Sequence, residues 1–80
     1  MSEPSEIFVR LLDEGVEVWR PVLARRSGPN RYQILDQPYD RELERWEFAP
    51  HDEVTCSPTA ADGGEILAAV ARWDPDDDDA

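Results

Sequence analysis

His51 and Cys56 are the one histidine and the one cysteine of the chain, and together they have the side-chain chemistry of a nucleophilic pair. Cysteine attack requires a thiol within hydrogen-bonding reach of its base. Five residues of extended chain place these two about 16 Å apart. Cys56 also alternates with Val54 in an apolar stretch, the setting of a buried thiol that packs as a small hydrophobe. His51 stands in a turn that follows Pro50. A metal held by His51, Asp52, Glu53 and Cys56 would need further ligands from elsewhere, and no repeated Cys or His supplies them. Glu42 and Glu44 form the kind of carboxylate pair that is commonplace in so acidic a chain. The four glycines are scattered between turns, so no phosphate-cradling loop exists, and the absence of lysine removes lysine-based catalysis. We assign no catalytic, cofactor-binding or metal-binding residue.

The aromatics and arginines carry more information. Trp19 lies out of phase with Val16, Val18 and Val22, so in an extended segment it points away from the side those valines share. A solvent-facing Trp beside Arg20 has the composition of a recognition hot spot. Tyr39, in a polar stretch, and Trp46 are the further candidates, and with Trp19 they would make a three-ring aromatic platform. Trp19, Arg20, Tyr39 and Trp46 are therefore the expected partner-binding residues, with core packing the alternative for the tryptophans, while Tyr32 and Phe48 read as core.

Those side chains need elements to hold them. Gly15, Gly28-Pro29-Asn30, Pro38, Pro50, Pro58 and Gly63-Gly64 divide the chain into segments of four to ten residues rich in Val, Ile, Leu and aromatics. Short apolar segments at such spacing predict a small all-β barrel or sandwich. Ile7 to Leu12 is a first strand with Ile7, Val9 and Leu11 on one face. Asp13-Glu14-Gly15 turns the chain, with Gly15 expected to supply a positive φ. Val16 to Arg26 is a longer strand in which Pro21, unable to donate to a ladder, marks a bulge or an edge. After a tight connection at Ser27 to Asn30, Arg31 to Asp36 completes a hairpin. Gln37 to Arg45 is a loop with room for one short helical turn starting at Asp40. Trp46-Glu47-Phe48 resumes the alternation, and Val54-Thr55-Cys56 continues it after a turn at Pro50 to Glu53.

The last segment admits two readings. Asp62 with Glu65 matches a capping box, and Ile66, Leu67, Val70 and Trp73 fall on one helical face. Against a helix, each glycine in its first turn would cost roughly 1 kcal/mol relative to Ala. The Asp cluster that follows would also put negative charge at the negative end of the helix dipole. A sheet begun by four strands further leaves an edge that a fifth would close. We read Glu65 to Arg72 as a strand.

Three blocks, Val9-Arg-Leu-Leu-Asp-Glu-Gly-Val-Glu-Val-Trp-Arg-Pro-Val22, Trp46-Glu-Phe48 leading to Asp52-Glu-Val-Thr-Cys56, and Gly64-Glu-Ile66, resemble a group of small uncharacterised bacterial proteins. The likeness spans roughly residues 7–71. The order of hairpin, aromatic loop, short strand and closing strand is also similar to Src-homology-type and Tudor-type barrels, with Tyr32 as the aromatic that begins the third strand. The resemblance implies a small five-stranded antiparallel SH3-like barrel and a β conformation for the last segment. A platform of Trp19, Tyr39 and Trp46 would be similar to the one by which Tudor-type barrels hold methylated ligands, although nothing in the sequence fixes the three rings together. The resemblance carries no established activity and transfers no catalytic residue. The glycine it implies before the fourth strand is replaced here by His51.

Eighty residues hold one small core, so the expected organisation is a flexible N-terminus at 1–6, one domain at 7–73 and a disordered acidic tail at 74–80. Nineteen acids against eight arginines give a net charge of −11, and residues 1–73 alone carry −6. Such a chain repels nucleic-acid phosphates, so no nucleic acid is expected to bind directly. The N-terminus shows no basic cluster followed by an apolar run, and no apolar stretch approaches the ~20 residues of a membrane span. One unpaired cysteine suits a reducing cytoplasm. The leading expectation is a non-enzymatic module, a monomer or weak oligomer without a cofactor, that binds a protein with a neutral-to-basic surface. It would do so through a barrel groove or an exposed edge strand. The rival is an acidic decoy whose carboxylates imitate nucleic-acid phosphate and occupy a basic nucleic-acid-binding surface.

Overall fold

A computed structural model describes residues 4–61 and 63–73. Six strands follow one another: β1 (Ser5–Leu12), β2 (Trp19–Gly28), β3 (Arg31–Ile34), β4 (Arg45–Trp46), β5 (Glu53–Ala61) and β6 (Gly64–Arg72). The fold is all-β, with no helix among the described residues. The expected tail at 74–80 and residues 1–3 of the expected flexible N-terminus lie outside the described residues. Ser5 and Glu6 are not part of a free end, because they pair with Ala24 and Leu23 and open β1.

Strands β1, β2, β3, β5 and β6 form a ring, and β4 adds to the far end of β1 through Leu11↔Trp46 and Leu12↔Arg45. The expectation of an antiparallel arrangement throughout is corrected at one junction. Four antiparallel steps around the ring bring β6 back running in the same direction as β1, so an odd-membered ring must contain a parallel seam. Here that seam is a single register pair, Phe8↔Ala68.

The last segment is a strand because Gly63 and Gly64 take positive φ, 91° and 138°, and turn the chain so that Ala61 pairs with Gly64. Those dihedrals lie outside the helical region and come at no steric cost only to glycine. Gly15 does not supply the left-handed residue of the first turn. Asp13 does (φ 63°), as Asn30 does after β2 (φ 58°), both being residue types that tolerate this region. Consequently β2 starts at Trp19 rather than at Val16, and Val16 is 74% exposed. The turn expected at Asp40 is present as one isolated turn. Its carbonyl accepts from Leu43 and Glu44 (3.1 and 3.0 Å), and its carboxylate accepts from the Glu42 N–H at 2.9 Å.

Ile7, Val9 and Leu11 turn inward as their alternation requires, meeting Val22, Ala24, Ile34, Trp46, Phe48, Val54, Cys56 and Ala69 in one core. Tyr32 packs partly buried against it. Pro21 sits where β2 has β1 on one side only. Leu23 directs its N–H to Gln37 Oε1 (3.0 Å) and accepts the Leu35 N–H at its carbonyl (3.0 Å), both on the side away from β1. Two residues earlier, Pro21 turns its nitrogen the same way, so the missing N–H removes no ladder bond.

Candidate recognition surface

The outer face of the β1–β2 pair follows from the register. With Ile7, Val9 and Leu11 inside, Glu6, Phe8 and Arg10 lie outside, and their partners Leu23, Pro21 and Trp19 share that face. Trp19 points away from the core as its phase requires. Its ring is half-buried, and Nε1 donates to Glu17 Oε1 at 3.1 Å. Phe8, Val16, Val18, Trp19, Ala61 and Ile66 line an open hollow of about 750 Å³ in which Glu17 is the one charged residue. Phe8 and Ile66 are not among the partner-binding residues expected from the sequence. Phe8 carried a usable signal, since it is a large apolar residue between the inward Ile7 and Val9.

Arg20, Tyr39 and Trp46 come together elsewhere. Tyr39 stacks on Trp46 with centroids 4.3 Å apart and 24° between the planes. Glu44 ties the group together: Trp46 Nε1 donates to its Oε1 at 3.1 Å, and Arg20 Nε stands 3.7 Å from the same oxygen. A second open hollow, about 780 Å³, is lined by these residues with Pro38, Asp40, Arg41, Glu42 and Leu43. The three-ring platform is therefore not assembled, because Trp19 lines the other hollow. Trp46 is a core residue. It is 6% exposed, held inside by the same alternation that buries Phe48.

A third hollow gathers Arg41, Arg45 and Arg72 beside Glu47 and Asp52. Arg45 stands 3.5 Å from Asp13 and Arg72 3.4 Å from Asp52, so most of its positive charge is already answered. His51 is exposed, with Nε2 3.6 Å from Asp36. Cys56 is buried in the core, and burial pushes its thiol up to about 11. At neutral pH such a thiol is protonated and a poor nucleophile. Among the described residues no three His, Cys, Asp or Glu side chains are grouped to hold a metal ion. No helix among them is long and apolar enough to cross a membrane.

Three strand edges are closed by their own residues. At β2, the Gln37 carboxamide copies a peptide group: Oε1 accepts from Leu23 N–H and Nε2 donates to Leu23 O at 2.9 Å, next to Pro21. At β4, the Trp46 N–H that faces away from β1 donates to the Tyr39 hydroxyl at 3.0 Å. At β5, pairing with β3 ends at Thr55, and the Cys56 N–H reaches back to Asn30 O. Pro58, two residues on, presents its N–H-free nitrogen on that open side. Backbone pairing by an incoming strand meets a proline or a satisfied donor at each place.

Comparison of the chain with protein-family models, with curated proteins and with solved structures found no match.

Proposed function

We propose that this protein is a non-enzymatic interaction module that binds a partner protein through side chains on its outer sheet face. The observation that carries this reading is the open hollow around Trp19, lined mostly by apolar residues and built on a face that the core does not use. Capped edges at β2, β4 and β5 favour a groove over strand addition as the mode of contact. The ring of five strands is the basis for grouping the domain with small barrels of the Src-homology and Tudor types. A single buried thiol is compatible with a cytoplasmic setting.

The decoy reading has less behind it. A phosphate mimic presents rows of unanswered carboxylates. Five of the carboxylates here, Asp13, Asp36, Glu44, Asp52 and Glu53, instead face a cationic or protonatable side chain, while Glu6, Glu14, Glu17 and Glu65 remain to attract a basic partner. The partner expected by the module reading has a neutral-to-basic surface, since the chain carries −11.

Parallel affinity capture with the native protein and the Trp19→Ala variant tests the reading. A partner retained by the native protein and lost with the variant, at similar unfolding midpoints, is the expected result. A partner retained equally by both forms removes Trp19 from the interface and the reading with it.

A further inference from the structure

We infer that the hollow beside Trp19 takes an apolar side chain presented by an extended, basic segment of the partner, with arginine or lysine flanking the inserted residue. This rests on the interaction-module reading and names the chemistry of its ligand. The lining supplies the first half of the argument. Phe8, Val16, Val18, Trp19 and Ile66 offer apolar surface, and the single polar group among the ring atoms of Trp19 is already satisfied by Glu17.

Charge supplies the second half. Glu17 lines the hollow, Glu14 lies in the same segment, Glu6 shares the outer face with Phe8, and Glu65 is the register partner of Ala60, which also lines the hollow. Arg10 is the cation on that face of β1. Arg20, although adjacent to Trp19 in sequence, belongs to the other side, where it meets Glu44 at 3.7 Å. An apolar floor with carboxylates around it is complementary to an apolar residue between cations. It is not complementary to a second copy of the chain, which brings its own −11 to the contact. Pro21 and the Gln37 carboxamide next to this face deny the incoming segment a backbone ladder. Recognition therefore falls to side chains.

The experiment uses the full chain and three short, end-blocked peptides, alternating Arg with Leu, Arg with Ser, and Glu with Leu. Binding is followed by amide chemical shifts. The Arg–Leu peptide is expected to perturb the amides of Phe8, Val16 to Trp19 and Ile66. The Arg–Ser and Glu–Leu peptides should bind at least about tenfold more weakly. Val16→Asp, at a position 74% exposed and so of little consequence for folding, should weaken the Arg–Leu peptide about tenfold although it adds charge that attracts the peptide. Leu43→Asp, at the other hollow, should leave the affinity within about twofold. Equal binding of the Arg–Ser peptide would show that charge alone acts and overturn the inference, as would equal binding of the Glu–Leu peptide. Perturbation centred on Tyr39 and Trp46, self-association through the Trp19 face, or no binding of any peptide also overturns it. If a captured partner is lost on Trp19→Ala while the Arg–Leu peptide fails to bind, the ligand chemistry is wrong and the module reading stands.

Discussion

The ring of Tyr39 lies stacked on Trp46 at 4.3 Å while its hydroxyl accepts the Trp46 backbone N–H at 3.0 Å. One side chain thus covers the face of a core aromatic and satisfies the outward donor of the strand that carries it. The pair looks like half of a ligand cage in sequence, but its geometry is that of a lid on the core. Trp46 contributes burial, and Tyr39 contributes the cover.

This division predicts unequal costs for three substitutions. Trp46→Ala removes a buried ring and should cost the 3–5 kcal/mol that is roughly typical of a core aromatic. Trp19→Ala truncates a half-buried ring on the outer face and should cost about 1 kcal/mol. Tyr39→Phe keeps the stack but removes the acceptor for a part-buried N–H, at about 1 kcal/mol. Urea unfolding of the three variants checks the order. A Trp19→Ala loss as large as that of Trp46→Ala would make Trp19 structural.

His51 adopts φ 78°, a left-handed conformation that costs a non-glycine residue about 1 kcal/mol. Its backbone N–H donates to Ile34 O at 2.7 Å, which closes the turn before β5. Glycine would take this dihedral at no steric cost. His51→Gly keeps the backbone bond and releases the strain, while giving up an exposed 3.6 Å contact with Asp36 worth little. The variant should be neutral to about 1 kcal/mol more stable, read as a higher denaturant midpoint. A loss above about 1 kcal/mol would assign the imidazole a structural role.

What the sequence made legible divides along physical lines. Alternation is local, so the inward set Ile7, Val9 and Leu11 and the outward Trp19 could be read from phase alone. Gly63-Gly64 fitted either a hairpin or a helix start, and only the pairing of β5 with β6 decides between them. Which hollow each aromatic joins depends on register between distant strands, which no local pattern encodes. For that reason Arg20, Tyr39 and Trp46 meet through Glu44 while Trp19, one residue from Arg20, faces Phe8. Adjacent strand residues point to opposite faces, and four candidates close in composition therefore separated into two groups. The edge caps were equally invisible, because Gln37 and Tyr39 act across 14 and 7 residues of chain.

Burial of Cys56 gives stability a dependence on alkaline pH. The thiol is raised from 9.0 to about 11 in the folded state, so above pH 9 the unfolded chain releases a proton that the folded chain keeps. Stability from this group is fully present below pH 9 and is lost as pH rises toward 11, on the order of 3 kcal/mol in all. Cys56→Ala should flatten that part of the profile relative to the native protein. The same burial predicts slow, unfolding-limited reaction of the native thiol with a labelling reagent. Rapid stoichiometric labelling would contradict it.

Gln37 provides the sharpest test of edge protection. Its carboxamide spans the gap where β3 ends, accepting the Leu23 N–H at 3.0 Å and donating Nε2 to Leu23 O at 2.9 Å and to Leu35 O at 2.8 Å. Gln37→Glu retains the acceptor but replaces both donations with a carboxylate set against two carbonyl oxygens. Gln37→Ala removes all three contacts and leaves the Leu23 N–H to water, while the Leu23 carbonyl keeps the Leu35 N–H. Each should lose about 1–2 kcal/mol, with Glu the worse because it adds repulsion to the lost bonds. The second expected effect is on the edge itself: with the Leu23 N–H unoccupied and its C=O left with the Leu35 N–H alone, β2 regains a free donor for backbone pairing. Amide exchange at Leu23 should accelerate markedly in Gln37→Ala while exchange at Val22, which faces β1, changes little. Sedimentation at high salt, where the −11 charge is screened, should show association in the variant and none in the native chain. If exchange at Leu23 is as slow in the variant as in the native protein, the carboxamide is not what closes this edge.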